Sequence, residues 1–332
     1  MGIQRKWNDK IFPVKDKDFL ALALEIFHYQ YRENPVYNSY VDLLSVDPRK
    51  VNSLERIPFL PIRFFRSGPV TSGTFNAAAI FESSGSSATI NSNHYVKDLE
   101  IYKESLSKCF EFFYGSVQQY CILGLLPSYL ERKNASLVYM VQELINASAH
   151  PESGFFLDDL DKLTGTLIEL EAKDQKTILF GVSFALLDLA EKGSLDLKNT
   201  IIIETGGMKG RRKELVRSEL HEILKSAFPV PAIHSEYGMT ELLSQAYSRG
   251  EGIFHTPPWM KIMLRDENDP LEVYSSGPRS GVINIIDLAN IHSCAFIATD
   301  DVGKLYSDGS FEVMGRVDNS DLRGCSLMVV PG

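Results

Sequence analysis

Cysteine is scarce in this chain of 332 residues, which has only Cys109, Cys121, Cys294 and Cys325. No C-x-x-C pair occurs, which argues against a zinc site or a redox dithiol. The wide spacing is not that of a disulfide framework, so reduced thiols in a cytosolic protein are expected. Basic charge is also short: the net charge is -9, against the basic surplus of a nucleic-acid binder. The densest basic cluster, K-G-R-R-K at 209–213, is brief and reads as a solvated loop. Long apolar runs are missing too. The longest, residues 178–187, is about half the length needed to span a bilayer. At the N-terminus no apolar core follows the charges, so there is no signal peptide. Nor does Gly-Lys-Ser/Thr follow any glycine-rich loop, which excludes a Walker A site. These absences leave a cytoplasmic, soluble protein with no membrane span.

What is present fits one large α/β unit with subdomains. Hydrophobic residues make up 44% and charged residues 23%, ordinary for a globular chain. Apolar groups at helical spacing over 16–31 predict a helix, with Asp16 as its cap. Two prolines within 57–65 predict an extended connector. Helices are expected over 97–113, 135–145, 160–170 and 211–228, and strands over 121–126, 177–180 and 199–204. Such alternation argues for largely parallel sheets. The last third turns to β, with strands at 273–274, 282–286 and 295–298. A hairpin follows over 305–313, turning at Asp308-Gly309.

Four chemistry-bearing motifs follow one another, and a fifth dominates them. Ser83-Ser84-Gly85-Ser86-Ser87 follows an apolar run and is expected to precede a helix. Its small hydroxyls and NH groups suit a phosphate, though a Ser/Gly linker has the same composition. Thr205-Gly206-Gly207 ends a strand, where open α/β sheets bind ligands; an ordinary strand-to-helix turn is the plainer reading. Ser235-Glu236-Tyr237-Gly238-Met239-Thr240-Glu241 brings an aromatic ring, a hydroxyl and a carboxylate together, as nucleotide and Mg²⁺ binding require. Thr299-Asp300-Asp301 stands before the hairpin and Gly315-Arg316-Val317-Asp318 after it. A carboxylate and an arginine suit ribose and phosphate oxygens, although isolated charges usually serve as surface turns. His234, beside the central motif, reads as a packed or hydrogen-bonded histidine.

In this order the motifs resemble those of the adenylate-forming superfamily, over roughly residues 55–325. Tyr237, Gly238, Thr240 and Glu241 match its Tyr-Gly-x-Thr-Glu signature; Gly315, Arg316 and Asp318 match its Gly-Arg-x-Asp hinge. Within the superfamily the chain is most similar to LuxE-type acyl-protein synthetases, and next to phenylacetate-CoA ligases. The carrying segments are I-P-F-L-P-I-R-F-F (57–65), E-T-G-G-M-K-G (204–210) and L-R-G-C-S-L (322–327). The resemblance implies a helical segment over 1–56, an AMP-binding domain over 57–318, and a hinge with a short remnant over 319–332. That domain would comprise two parallel-sheet α/β subdomains and a smaller, mostly β one.

By the same resemblance ATP and Mg²⁺ are the cofactors. Tyr237 would stack on adenine, with Glu236, Gly238, Gly206 and Gly207 around it. Thr240 would meet the α-phosphate and Glu241 would ligate Mg²⁺. Asp301 and Arg316 would hold the ribose, and Ser83, Ser84, Gly85, Ser86 and Ser87 the pyrophosphate end. Cys325 would accept the acyl group, with Thr240 and Glu241 as the other catalytic residues. The expected reaction activates a fatty or other carboxylic acid as acyl-AMP, then passes the acyl group to a thiol of this chain or of a reductase or carrier protein. A homo-oligomer is left open.

Three departures stand out. Asp300 replaces the glycine of Thr-Gly-Asp. Ala88 replaces a common glycine in the phosphate loop. The chain stops at Gly332, with no room for the mobile C-terminal domain of acyl-CoA ligases. An acyl- or aryl-CoA ligase, an acyltransferase and a non-catalytic nucleotide-binding subunit are the alternatives.

Overall fold

The computed structural model describes residues 2–83, 91–127, 134–206 and 215–317. The phosphate-loop residues Ser84, Gly85, Ser86 and Ser87, together with Gly207 and Cys325, lie outside them.

Three helices open the chain: α1 (Gly2–Ile11), α2 (Asp16–Glu33) and α3 (Pro35–Leu43). Asp16 does not cap α2. It is the first helical residue, the cap position is Lys15 without a side-chain bond, and the Asp16 carboxylate pairs with Lys261 instead. The cap that does form is Asn34, whose side chain accepts from Tyr37 N at 3.0 Å, with Pro35 pre-set for the first turn of α3. Buried polar groups stitch this segment to the body. Gln30 Nε2 donates to the carbonyls of Asn290 (3.0 Å) and Ile291 (3.1 Å), and its Oε1 accepts from Ala295 N.

The connector is extended only over β1 (Leu60–Pro61), then turns into a short 3-10 helix, Ile62–Arg66. Next come β2 (Ala79–Glu82) and β3 (Asn93–Val96), which pair antiparallel with Glu82 opposite Asn93. A strand rather than a helix therefore follows the Ser/Gly loop. The helix begins later, as α4 (Leu99–Tyr114), capped by Asp98 and ended by Gly115 at φ +78.

Strands and helices then alternate: β4 (Cys121–Leu125), α5 (Ser136–Ser148), β5 (Gly154–Phe155), α6 (Leu160–Ala172), β6 (Thr177–Val182), α7 (Ser183–Lys192), β7 (Thr200–Thr205) and α8 (Arg217–Ala227). All residues of β4 and β6 are buried, as both faces of a parallel sheet covered by helices should be. The chain continues through β8 (His234–Tyr237), β9 (Ala246–Ser248), β10 (Phe254–His255), β11 (Met260–Arg265), β12 (Val273–Tyr274), β13 (Arg279–Asp287), β14 (Phe296–Leu305) and β15 (Phe311–Arg316). The β14–β15 hairpin turns through Gly309 at φ +84, where Asp308 Oδ1 accepts from Ser310 N.

One sheet carries most of these strands, in the order β12-β11-β13-β14-β15-β10-β9-β8-β7-β6-β4-β5. Its β4–β8 wing is parallel and its β9–β15 wing antiparallel, while β1 adds a parallel pairing to β14. The α/β class and the β-rich final third are thus as expected. Strand β8 is the seam: parallel to β7 on one side, antiparallel to β9 on the other. The residues that follow it leave the sheet at the carboxyl end of β8, the kind of place where open α/β sheets bind ligands.

Candidate active site

The central motif straddles the end of β8. Along a strand successive side chains face opposite ways, so Glu236 and Tyr237 look to different faces of the sheet. Tyr237 packs against Phe254 and Phe311, with ring centroids 5.9 and 5.6 Å away. Its hydroxyl donates to Asp301 Oδ2 at 2.8 Å. Arg316 Nε donates to Asp301 Oδ1 at 2.9 Å. Burial, then the neighbouring Asp301 charge, pushes the Tyr237 phenol well above its ordinary value, so it keeps its proton and donates.

Hairpin pairing explains why Asp301 and Arg316 meet: they stand opposite each other on β14 and β15. Thr299, fully buried, aims the carboxylate. Its hydroxyl donates to Ile283 O at 2.8 Å and accepts from Asp301 N at 3.0 Å. Asp300, where the resemblance expects glycine, faces Arg63 at 3.7 Å. Each Asp301 oxygen uses one acceptor site on a protein donor. An ionised carboxylate has roughly four such sites, so about two remain for a diol.

On the other face the Thr205 hydroxyl donates to Glu236 Oε2 at 2.5 Å. Among the described residues no cation answers Glu236, and Glu204 stands nearby. Burial lifts its carboxyl to about 7, the Glu204 charge adds to the lift, and Thr205 opposes both. Glu204 behaves oppositely. Burial would raise it, yet the His221 hydrogen bond and the Arg217 charge hold it below its usual value. Gly206 adopts φ +68 and its carbonyl accepts from Ser183 Oγ at 2.5 Å. At Gly238 a Cβ would stand 2.4 Å from Glu236 Oε1, so any side chain there would require that carboxyl to shift.

Beyond Gly238 the turn is clamped through its backbone. His94 on β3 places Nδ1 2.8 Å from Thr240 O and Nε2 3.0 Å from Asn290 Oδ1. Asn290 Nδ2 donates to Glu241 O at 2.7 Å. Asp287, fully buried, accepts from Leu243 N, Ser244 N, Ser244 Oγ and Ala289 N. Glu241 itself is 4% exposed, and burial raises its carboxyl although Ser92 opposes the shift. Ser92 also joins this turn to the base of the Ser/Gly loop. Ser92 N donates to Ser83 Oγ at 2.9 Å, and Ser83 N donates to Ser92 O at 3.0 Å.

The structure thus brings together Ser83, Glu236, Tyr237, Gly238, Thr240, Glu241, Asp301, Arg316 and Gly206. Sequence reasoning missed His94, Asn290 and Asp287. A signal existed for Asp287, a carboxylate ending the strand-like stretch 282–286. His94 offered none, being one histidine in the polar stretch 91–94. His234 is a hydrogen-bonded histidine, with Nδ1 3.2 Å from Tyr114 Oη. Cys109, Cys121 and Cys294 are buried, and burial pushes the Cys294 thiol up to about 12 and Cys121 to about 11. No helix among the described residues is long and apolar enough to cross a membrane.

This architecture recurs in solved adenylate-forming ligases. The open conformation of 2-hydroxyisobutyryl-CoA ligase, solved with 2-HIB-AMP and CoA, aligns with a TM-score of 0.66 at 13% identity, covering 92% of this chain and 70% of that one. ATP-bound MatB from Rhodopseudomonas palustris gives 0.55 at 17% identity, over 74% of this chain and 49% of that one. The long-chain-fatty-acid-CoA ligase FadD1 from Archaeoglobus fulgidus gives 0.53 at 16%, over 76% and 54%. The chain spans about half the length of MatB. At such identities the likeness defines the fold, that of adenylate-forming enzymes. The family is more particular: residues 9–330 match the model of the acyl-protein synthetase LuxE, and the chain belongs to that family. A search of curated proteins finds no match.

Proposed function

We propose that the protein uses ATP to activate a carboxylic acid, with a fatty acid as the favoured substrate, and then transfers the acyl group to a thiol. The observation that carries this reading is the convergence of Tyr237, Asp301 and Arg316 with Glu241 and the base of the Ser/Gly loop, at the sheet seam of a LuxE-family chain.

Asp301 and Arg316 would hold the ribose, and Tyr237, Glu236, Gly238, Gly206 and Gly207 would shape the adenine site. Thr240 would orient the α-phosphate, and Ser83 to Ser87 the departing phosphates. Among the described residues no group of three His, Cys, Asp or Glu could hold a metal by itself. The lone Glu241 carboxylate suits magnesium, which takes most of its ligands from phosphates and water. Bound there, Mg²⁺ supplies charge neutralisation at the phosphates.

A carboxylate oxygen attacks the α-phosphorus, the bond to the bridging β-phosphate oxygen breaks, and pyrophosphate leaves. A thiolate sulfur then attacks the acyl carbon, the bond to the AMP oxygen breaks, and AMP leaves. The protein's part is positioning and electrostatic support. By its family resemblance Cys325 is the acceptor thiol; a reductase or carrier protein would take the acyl group onward.

ATP–pyrophosphate exchange with a panel of fatty and aryl acids tests the first half. Exchange with none of them, while ATP binds, would sink the enzyme and favour a nucleotide-binding subunit. Labelled acid with ATP should mark the native protein but not Cys325→Ser; equal labelling would remove Cys325 from the scheme.

A further inference from the structure

A cavity lies away from the adenylate motifs. Helix α3, the two 3-10 turns Pro48–Lys50 and Leu54–Arg56, and the β11–β12 connection enclose a cavity of about 310 Å³. That is the small end of the range for ligand pockets. No residue of 235–241, 299–301 or 316 lines it. Its walls are mostly apolar, among them Leu44, Val51, Ile57, Phe59 and Leu271. Leu271 in the wall is 62% exposed, and apolar surface continues past the rim at Leu43, 83% exposed.

Four charged residues also line the cavity, and they divide by partner. The acids are already satisfied. Arg49 Nε and Nη2 each donate to Asp47 at 3.0 Å. Glu55 stays below its ordinary value: burial opposes this, but the hydroxyls of Ser275 and Ser53 outweigh it. The cations are spare. Lys50 and Arg56 are exposed at the rim; neither forms an ion pair within 4 Å among the described residues, although the Lys50 charge adds to Arg49 in holding the Asp47 carboxyl below its ordinary value. An apolar chamber with two unpaired cations at its mouth complements one kind of ligand, a narrow apolar chain ending in an anion.

We propose that this cavity binds a medium-chain fatty carboxylate, tail inward and headgroup at Lys50 and Arg56. The site is separate from the acyl-activating centre and does not depend on that reading.

The test uses the whole chain without ATP. Decanoate, decanol and decyltrimethylammonium are titrated calorimetrically below their micelle-forming concentrations, and a diazirine analogue of decanoate locates the bound chain by crosslinking. Decanoate should bind saturably at least tenfold tighter than decanol, and the cationic probe should not bind. Crosslinks should fall within residues 40–59 and 270–273. The double variant Lys50→Glu/Arg56→Glu, which alters exposed side chains only, should weaken decanoate at least tenfold and leave decanol unchanged. Leu44→Trp, which fills the chamber, should weaken both. Crosslinks confined to the region of Thr240 and Glu241 would overturn this proposal and leave acyl activation standing. Crosslinks at 40–59 without pyrophosphate exchange would do the reverse. No saturable binding, or binding indifferent to the charge reversal, would also overturn it.

Discussion

The two faces of β8 meet carboxylates under opposite regimes. On the Tyr237 face Asp301 has a guanidinium and a phenol, each donating to a different oxygen. On the Glu236 face, among the described residues, one hydroxyl donates, no cation answers, and a like charge stands close by. One strand, alternating sides, thus meets the compensated carboxylate of β14 on one face and presents its own carboxyl, poised near neutrality, on the other. The difference teaches how the two faces of one strand can support different chemistry: the proposed ribose recognition needs a fixed acceptor, whereas an uncompensated carboxyl can still carry a proton and donate it.

Asp301→Ala breaks the comparison most severely. It removes the proposed diol acceptor and leaves the buried Tyr237 hydroxyl without a partner. Hydrogen bonds to a charged group contribute about 1.5–3 kcal/mol each. Two of them lost correspond to a weakening of ATP binding on the order of 100-fold or more. Calorimetric titration with ATP measures this, and affinity within a factor of about three of the native value would remove Asp301 from the nucleotide site.

Glu236→Gln should have a smaller effect, visible as pH dependence. The carboxyl titrates near its usual 4.5 when unfolded and at about 7 when folded. Below the lower value both states hold the proton; between the two only the folded state does. Stability from this group is therefore full at low pH and lost as pH rises through about 7. Glu204, held below its ordinary value, has the opposite sign and loses its contribution as pH falls. Glu236→Gln should flatten the decline between pH 4.5 and 7 in thermal-unfolding midpoints. An unchanged slope would show that Glu236 ionises normally.

Much of this site was legible because its motifs are local. Tyr237 to Glu241, Thr299 to Asp301 and Gly315-Arg316 stood in order along the chain, and the Asp308-Gly309 turn foretold the hairpin that sets Asp301 opposite Arg316. Strand β8 was not legible. His-Ser-Glu-Tyr has no apolar run, and its strand character comes from β7 and β9 on either side. The helix expected after the Ser/Gly loop failed for a similar reason: the polar residues 91–94 extend because β2 is there to pair with them. Asp16 looked like a cap because local chemistry favours one, but its partner is Lys261, remote in sequence. His94 and Asn290 were invisible for the same cause. Their role exists only through carbonyls of a turn that folding brings to them.

The finest test separates the Thr205 hydroxyl from the rest of the Glu236 environment. Donation from Thr205 favours the charged carboxylate, whereas burial and the Glu204 charge favour the neutral acid. Thr205→Val keeps the shape and removes the donor, so the folded Glu236 carboxyl should titrate still higher than it does now. The hydrogen bond should be worth about 1 kcal/mol, the usual net value for such a contact. A ¹³C titration of the side-chain carboxyl reads the shift directly, without nucleotide or acid present. An upward shift confirms that the Thr205 hydroxyl restrains Glu236. A downward shift would mean that the hydroxyl serves the neutral acid, and that proximity to Glu204 lifts Glu236 less than desolvation and Thr205 together.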